Sequence, residues 1–133
     1  MYTMMQACRE TDMTYQALKY YCNEGLVPNV KRDRNNRRVF DERDIKWIRD
    51  LVCLKKCGMS IEEMKIYLDL CLQGEKTIPQ RKEMLARKQK ALRTSIQELE
   101  ECVAYIDWKQ NFYDEVLSGK RPYVSNLIRV SDD

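Results

Sequence analysis

The feature that most constrains this chain is residues 79–117, a run with no glycine and no proline beyond Pro79 itself. Stepping through it in alternating fours and threes from Leu85 gives Gln89, Leu92, Ile96, Leu99, Val103, Ile106, Gln110, Tyr113 and Leu117. Eight of these ten positions are apolar. At ~1.5 Å per residue such a helix reaches about 55–60 Å. That is too long for one small domain, and the stripe is too narrow for an ordinary amphipathic core helix, which is the alternative. A sustained seam of this period specifies a coiled coil. The chain is therefore expected to form a homodimer through residues 79–117. The heptads alone leave strand direction open or favour a parallel pair, with Ile96 and Val103 at a and Leu92 and Leu99 at d. The domains expected around this helix are a head over residues 1–74, a linker and dimerisation helix over 75–119, and a short tail over 120–133.

Composition narrows the chemistry. There is no histidine, which excludes Ser-His-Asp and Cys-His catalysis and His-ligated metals. Four glycines and three prolines argue against phosphate-cradling loops and many-turned β folds. No apolar run approaches the ~18 residues of a membrane span, and residues 1–10 lack a basic start and apolar stretch, so a cytoplasmic location is expected. The six cysteines, Cys8, Cys22, Cys53, Cys57, Cys71 and Cys102, include no C-x-x-C pair. Long helical patterns without an export signal favour reduced thiols over a disulfide framework. Net charge is only +3, so a nucleic-acid footprint has to be a local patch.

The head reads as a series of capped helices. Thr3 and Gln6 form a capping box for a first helix, and residues 10–13 read as a turn. Thr14 caps a second helix over residues 15–24, which ends at Gly25. Asp41 caps a third, with Glu42 and Asp44 in its first turn. Its apolar face is Ile45, Ile48 and Val52, with Leu51 beside them. Gly58 ends it, and Ser60 with Glu63 caps a fourth helix running to about Gln73. Residues 75–78 read as a linker.

Residues 30–40 differ in kind. They read V-K-R-D-R-N-N-R-R-V-F, with five basic residues against one acidic. Asn35-Asn36 suits a tight turn because asparagine tolerates positive φ, so a small basic β-hairpin is expected, a solvated loop being the alternative. Helix, turn, helix and basic hairpin together describe a winged helix-turn-helix. The fold expected is mostly α: such a head with its wing, plus a long C-terminal dimerisation helix. The second helix suits the major groove of double-stranded DNA. Gln16 and Lys19 share a face one turn apart; glutamine can pair with adenine and lysine can reach guanine or phosphate. Tyr20 can donate to phosphate, and Thr14 and Tyr15 open the same helix. Arg32, Arg34, Arg37 and Arg38 on the hairpin would contact the backbone and fix register. A dimer doubles this and implies a two-fold symmetric operator. Two other classes are weighed against this reading. A thiol enzyme using Cys53 and Cys57 lacks a base, and a coiled-coil protein-binding adaptor does not explain the basic hairpin.

Taken together, Y-x-M-x-x-A, T-Y-Q-A-L-K-Y-Y-C-N-E-G-L-V-P, the R-R-V-F hairpin end, D-x-x-D-I and L-K-K-C-G-M-S-I-E-E-M resemble the MerR family of bacterial transcription regulators. The resemblance is close over residues 1–72 and general along the long helix. It implies an antiparallel coiled-coil homodimer that twists and bends promoter DNA so that RNA polymerase can engage it. Ala17, Lys19 and Arg37 depart from the usual residues at their positions. Lysine is a point charge rather than a fork, which weakens base reading at position 19. Metal-sensing members carry a cysteine where this chain has Thr77 and Ile78, and no cysteine follows Cys102, so neither metal nor cofactor is expected. The stretch L-V-C-L-K-K-C-G-M-S resembles the thiol-based (AdhR- and NmlR-like) branch, which responds to aldehydes, nitrosothiols and related electrophiles. That resemblance makes Cys53 the candidate effector-sensing residue. Arg49 and Lys56 flank it in sequence, and nearby cations favour thiolate. The alternatives are a passive Cys53, and a small molecule held non-covalently beside Tyr105, Trp108, Phe112 and Tyr113.

Overall fold

The computed structural model describes residues 1–129, so residues 130–133 of the expected tail lie outside the described residues. A short strand β1 (Tyr2–Thr3) leads into α1 (Met4–Thr11) and α2 (Tyr15–Asn23). Two further strands, β2 (Lys31–Arg32) and β3 (Arg38–Phe40), are followed by α3 (Glu42–Lys56) and α4 (Ile61–Leu72). A 3-10 turn (Glu75–Thr77) then opens α5 (Ile78–Leu117). The chain divides into two units, one from Met1 to Lys90 and one from Ala91 onward, with the boundary inside α5.

The expected caps form. Thr3, Asp41 and Ser60 each accept from the backbone amide three residues on, and the side chain of that residue returns the bond to the cap. Each box satisfies two amides that have no partner inside the helix. The turn after α1 is tighter than the sequence suggests. The helix runs on to Thr11, and Asp12 ends it at φ 54°, a left-handed conformation that aspartate tolerates better than most residues.

The core of the first unit gathers Ala7, Leu18, Leu26, Phe40, Ile48 and Leu51, all fully buried. In α3 the buried stripe is Ile45, Ile48 and Leu51, while Val52 is only half-buried. The face thus turns one residue away from the expected Ile45-Ile48-Val52 line. A 3.6-residue period permits either choice, and packing against α1 and β3 decides it.

The sheet holds a strand that periodicity could not reveal. β1 pairs antiparallel with β3, which also pairs with β2, giving the order β1-β3-β2. Two residues are too few to show alternation. Residues 75–78 are not a slack linker either. The Thr77 hydroxyl donates to the Leu70 carbonyl at 2.5 Å, and the Arg81 guanidinium donates to the Gly74 carbonyl. The first turns of α5 continue this docking. Met84 is buried, and Lys88 pairs with Glu63 at 3.0 Å.

One buried group is left without a partner. Tyr21, on the inner face of α2, is 2% exposed, and its hydroxyl meets no hydrogen-bond partner among the described residues. Burial pushes its pKa up, making the hydroxyl a weaker acid. An unsatisfied buried hydroxyl is a net cost. Tyr21→Phe is therefore expected to keep the fold and raise stability by about 1 kcal/mol, read from urea melts. A loss of similar size would mean that the hydroxyl is satisfied.

Candidate nucleic-acid interface

The outer face of α2 carries Tyr15, Gln16, Lys19, Tyr20 and Asn23, all exposed, while Leu18 and Tyr21 point into the core. Large aromatics left half in water on a helix N-terminal face call for an explanation. Thr14 caps the helix, its hydroxyl accepting from the Ala17 amide at 3.1 Å. The first-turn amides of α2 add positive potential there.

The wing forms where the sequence places it, with a different turn. Lys31 pairs with Val39 and Arg32 with Arg38. Beyond them the Asn36 amide bonds to the Asp33 carbonyl at 3.0 Å, and the Asp33 amide bonds to the Arg37 carbonyl at 2.9 Å. Within the hairpin Asn36 alone has positive φ, 60°. The connection is thus a three-residue loop with its last residue left-handed, and not the two-residue Asn35-Asn36 turn expected. Asp33 makes the difference. Its carboxylate accepts from the Asn35 and Arg37 amides, at 2.9 and 3.0 Å. It is the one acidic residue of the hairpin, and it holds the loop that displays the arginines.

The four wing arginines separate by what they touch. Arg38 donates to the Asn23 side chain at 2.7 Å, tying β3 to the end of α2, and Arg32 donates to the Asn36 carbonyl at 2.8 Å. The side chains of Arg34 and Arg37 are exposed and make no hydrogen bond or ion pair among the described residues. A cleft of about 450 Å³ opens between the wing and the N-termini of α1 and α2. Arg32, Arg37 and Arg38 line one side, and Thr3, Met5 and Tyr15 the other. Two helix N-termini and three guanidinium groups make this concavity favourable to anions. Thr3, Met5 and Asn23 went unnoticed in the sequence as parts of this surface. Only their pairing across β3 and α2 brings them here, and nothing local in the sequence signals it.

Cys53 lies on the exposed face of α3. Of its expected flanking cations, Arg49 is engaged elsewhere. It donates to the Glu10 carbonyl at 3.0 Å and pairs with the Glu10 carboxylate at 3.3 Å. Cys57 is half-buried and caps α3, Cys8 is buried, and Cys22 and Cys71 are half-buried. Burial raises the thiol pKa of both Cys8 and Cys22. Among the described residues no cluster of three or more His, Cys, Asp or Glu side chains could hold a metal ion, and no helix is long and apolar enough to cross a membrane. On α5 the aromatics form a row, with Tyr105 to Trp108 at 6.3 Å and Trp108 to Phe112 at 6.0 Å between ring centres.

Comparison with known proteins decides the family. The model for the MerR HTH family regulatory protein matches residues 2–71, and that for MerR, DNA binding, matches residues 45–108. The chain belongs to the MerR family of helix-turn-helix transcription regulators. An HTH-type transcriptional regulator of Haemophilus influenzae is 32% identical over 131 residues, covering 98% of this chain and 97% of the relative. AdhR of Bacillus subtilis is 38% identical over 87 residues, 65% of this chain and 62% of its own length. HiNmlR, a MerR family regulator lacking the sensor domain, was solved bound to promoter DNA. It superposes with a TM-score of 0.73 at 31% identity, covering 88% of this chain and 93% of its own. A MerR structure from Listeria monocytogenes gives 0.79 at 28% identity, covering 90% and 91%. These relatives place the chain in the AdhR and NmlR branch of the MerR family. They are DNA-binding transcriptional regulators and not enzymes.

The wing of this MerR protein is anchored at its base by Lys31, which pairs with two carboxylates, the more distant being Asp44 at 3.8 Å. Lys31 on β2 reaches Asp41, the cap of α3, at 2.9 Å. The Lys31 ammonium, helped by the Asp44 amide, holds the Asp41 carboxyl down at about 2 against its usual 3.8. A carboxyl whose pKa is lowered by folding adds stability above its unfolded pKa and loses it as pH falls through the folded one. The stability gap between the parent protein and Asp41→Asn should therefore be full at pH 5 and shrink from about pH 4 towards pH 2. Urea midpoints across that range measure it, and a gap independent of pH would show that the pair does not stabilise the wing.

Proposed function

We propose that this protein is a homodimeric, effector-responsive promoter regulator that reads DNA with α2 and grips the backbone with its wing. The carrying observation is the cleft that joins the α2 N-terminus to three wing arginines. In this reading Gln16 and Lys19 enter the major groove, with Thr14, Tyr15 and Tyr20 at its edge. Arg34 and Arg37 bind phosphate directly, since both extend unpaired into solvent. Arg32 and Arg38 share their guanidinium groups between the protein and the backbone, fixing the wing relative to α2. Pairing of α5 across a two-fold axis presents two heads to a symmetric site, and distortion of the DNA between them sets its fit to RNA polymerase. HiNmlR bound to promoter DNA supports this docking by analogy.

Phosphate contacts and base contacts separate by salt and by sequence. Arg37→Ala should weaken binding to all sequences alike and lower the salt slope by about one unit. Gln16→Ala should relax discrimination at particular base pairs and leave the slope nearly unchanged. Gel shifts at several salt concentrations, on the promoter upstream of the protein's own operon, test both. A slope unmoved by Arg37→Ala would overturn the role given to the wing.

The effector in this reading is an electrophile, an aldehyde or nitrosothiol, that modifies Cys53. Exposure supports the choice: of the six thiols only Cys53 and Cys102 are exposed in the chain, and Cys53 stands on the α3 scaffold of the head. With Arg49 held by Glu10, access rather than a flanking cation is what recommends it. A non-covalent ligand beside Trp108 and Tyr113 is the second reading, favoured only by the aromatic row on α5. Cys53→Ser should bind the operator normally and fail to respond to aldehyde or nitrosothiol during in vitro transcription. Cys8→Ser, Cys71→Ser and Cys102→Ser should respond as the parent does. Full induction of Cys53→Ser would rule out the thiol switch and leave the aromatic row.

A further inference from the structure

The last turn of α3 carries two thiols. Cys53 is exposed, Cys57 at the C-cap is half-buried, and both are free. The Cys57 amide bonds to the Cys53 carbonyl at 3.1 Å, so the helical turn between them is closed, and both side chains leave the same face. Residues four apart on a helix hold their Cβ atoms about 5–6 Å from one another. A disulfide needs about 3.5–4.5 Å, so oxidation cannot join this pair while the turn stays helical. A single carbon between the sulfurs lengthens the path by one covalent bond and spans the gap.

We infer that Cys53 and Cys57 together form a two-thiol site for a short aldehyde, whose carbonyl carbon joins them as a dithioacetal. This rests on the thiol reading of Cys53 above and adds to it a second residue and a ligand class. The Cys53 thiolate adds to the carbonyl carbon, and the oxygen takes up a proton to give a hemithioacetal. That hydroxyl leaves as water, taking a further proton, and the Cys57 sulfur bonds to the same carbon as its own proton is released. Two thiols and one aldehyde become one bridge and one water, and no oxidant or reductant is consumed. A nitrosothiol brings no such carbon. It moves its nitroso group to one sulfur, or drives a disulfide that the spacing forbids. The pair therefore separates two electrophiles that Cys53 alone would accept.

The bridge would close over a junction of three helices. Beyond Cys57, the Gly58 amide bonds back to the Lys55 carbonyl at 2.9 Å, and the amide of buried Met59 to the Leu54 carbonyl at 3.1 Å. The Gly58 carbonyl accepts from Lys88 on α5 at 3.3 Å, and Lys88 also pairs with Glu63 in the first turn of α4. A covalent link from Cys53 to Cys57 thus acts on the turn that meets both α4 and α5.

Mass spectrometry of the full-length protein treated with formaldehyde tests the site. The parent should gain the mass of one carbon, the aldehyde less water, and lose two thiols to later alkylation, with both changes mapping to the peptide that holds Cys53 and Cys57. The gain should survive dialysis. Cys57→Ser should show only the whole-aldehyde adduct on Cys53, which dialysis removes. During in vitro transcription Cys57→Ser should need at least ~10-fold more formaldehyde than the parent, because the second bond is intramolecular and holds the first. Its response to a nitrosothiol should be unchanged. A parent that carries only the whole-aldehyde adduct overturns the bridge. So does a one-carbon gain that persists in Cys57→Ser, which would place the second bond on a neighbour such as Lys56. Full induction of Cys53→Ser removes the thiol reading itself, whereas a response that needs Cys53 but not Cys57 overturns this site alone.

Discussion

Phe40 ends β3 with its ring fully out of water, and both walls of the cleft hang from that fixed point. β3 is the central strand, so Tyr2 and Thr3 on one side and Lys31 and Arg32 on the other are positioned by the same three residues. Thr3 is at once a strand residue and the cap of α1. The pairing that seats β1 therefore also aims the α1 N-terminus at the wing. A strand of three residues has little stability alone. It holds because Phe40 is buried in the core and because Asp41, its neighbour in sequence, caps α3 while gripping Lys31.

The wing shows how one acidic residue can serve a basic surface. Asp33 neutralises part of the hairpin charge, yet its two backbone bonds set the loop that spreads Arg34 and Arg37 into solvent. Arg38 and Asn23 then fix the angle between wing and α2. In the proposed docking, a surface built this way is largely organised before DNA arrives, which lowers the ordering cost of binding. The same economy appears at the α4–α5 junction, where Thr77 and Arg81 satisfy carbonyls at the end of α4 and the turn after it.

Much of this was legible because it is local. Helix caps announce themselves through residues three apart, and Ser60 with Glu63 needs no distant contact to form its box. The long seam declared a coiled coil through period alone, and α5 begins one residue before the expected start. The wing was visible as a charge cluster around a turn dipeptide. Less visible was anything that depends on which of two adjacent residues wins a packing contest, as with Leu51 over Val52. The partner of Arg49 was hidden for the same reason. Sequence neighbours suggested a cation beside Cys53, whereas Glu10, 39 residues away in sequence, took the guanidinium.

The sequence by itself determined the number and order of the helices, their caps, the basic hairpin and the seam of α5, since each follows from spacing within a few turns of chain. Only the tertiary structure decided the third strand, the three-residue wing loop, the cleft between Tyr15 and the wing, and which arginines are left unpaired. Those depend on contacts between residues far apart in sequence, where several local conformations cost nearly the same. The choice among them is made by burial of Phe40 and by the polar groups that must find partners once it is buried.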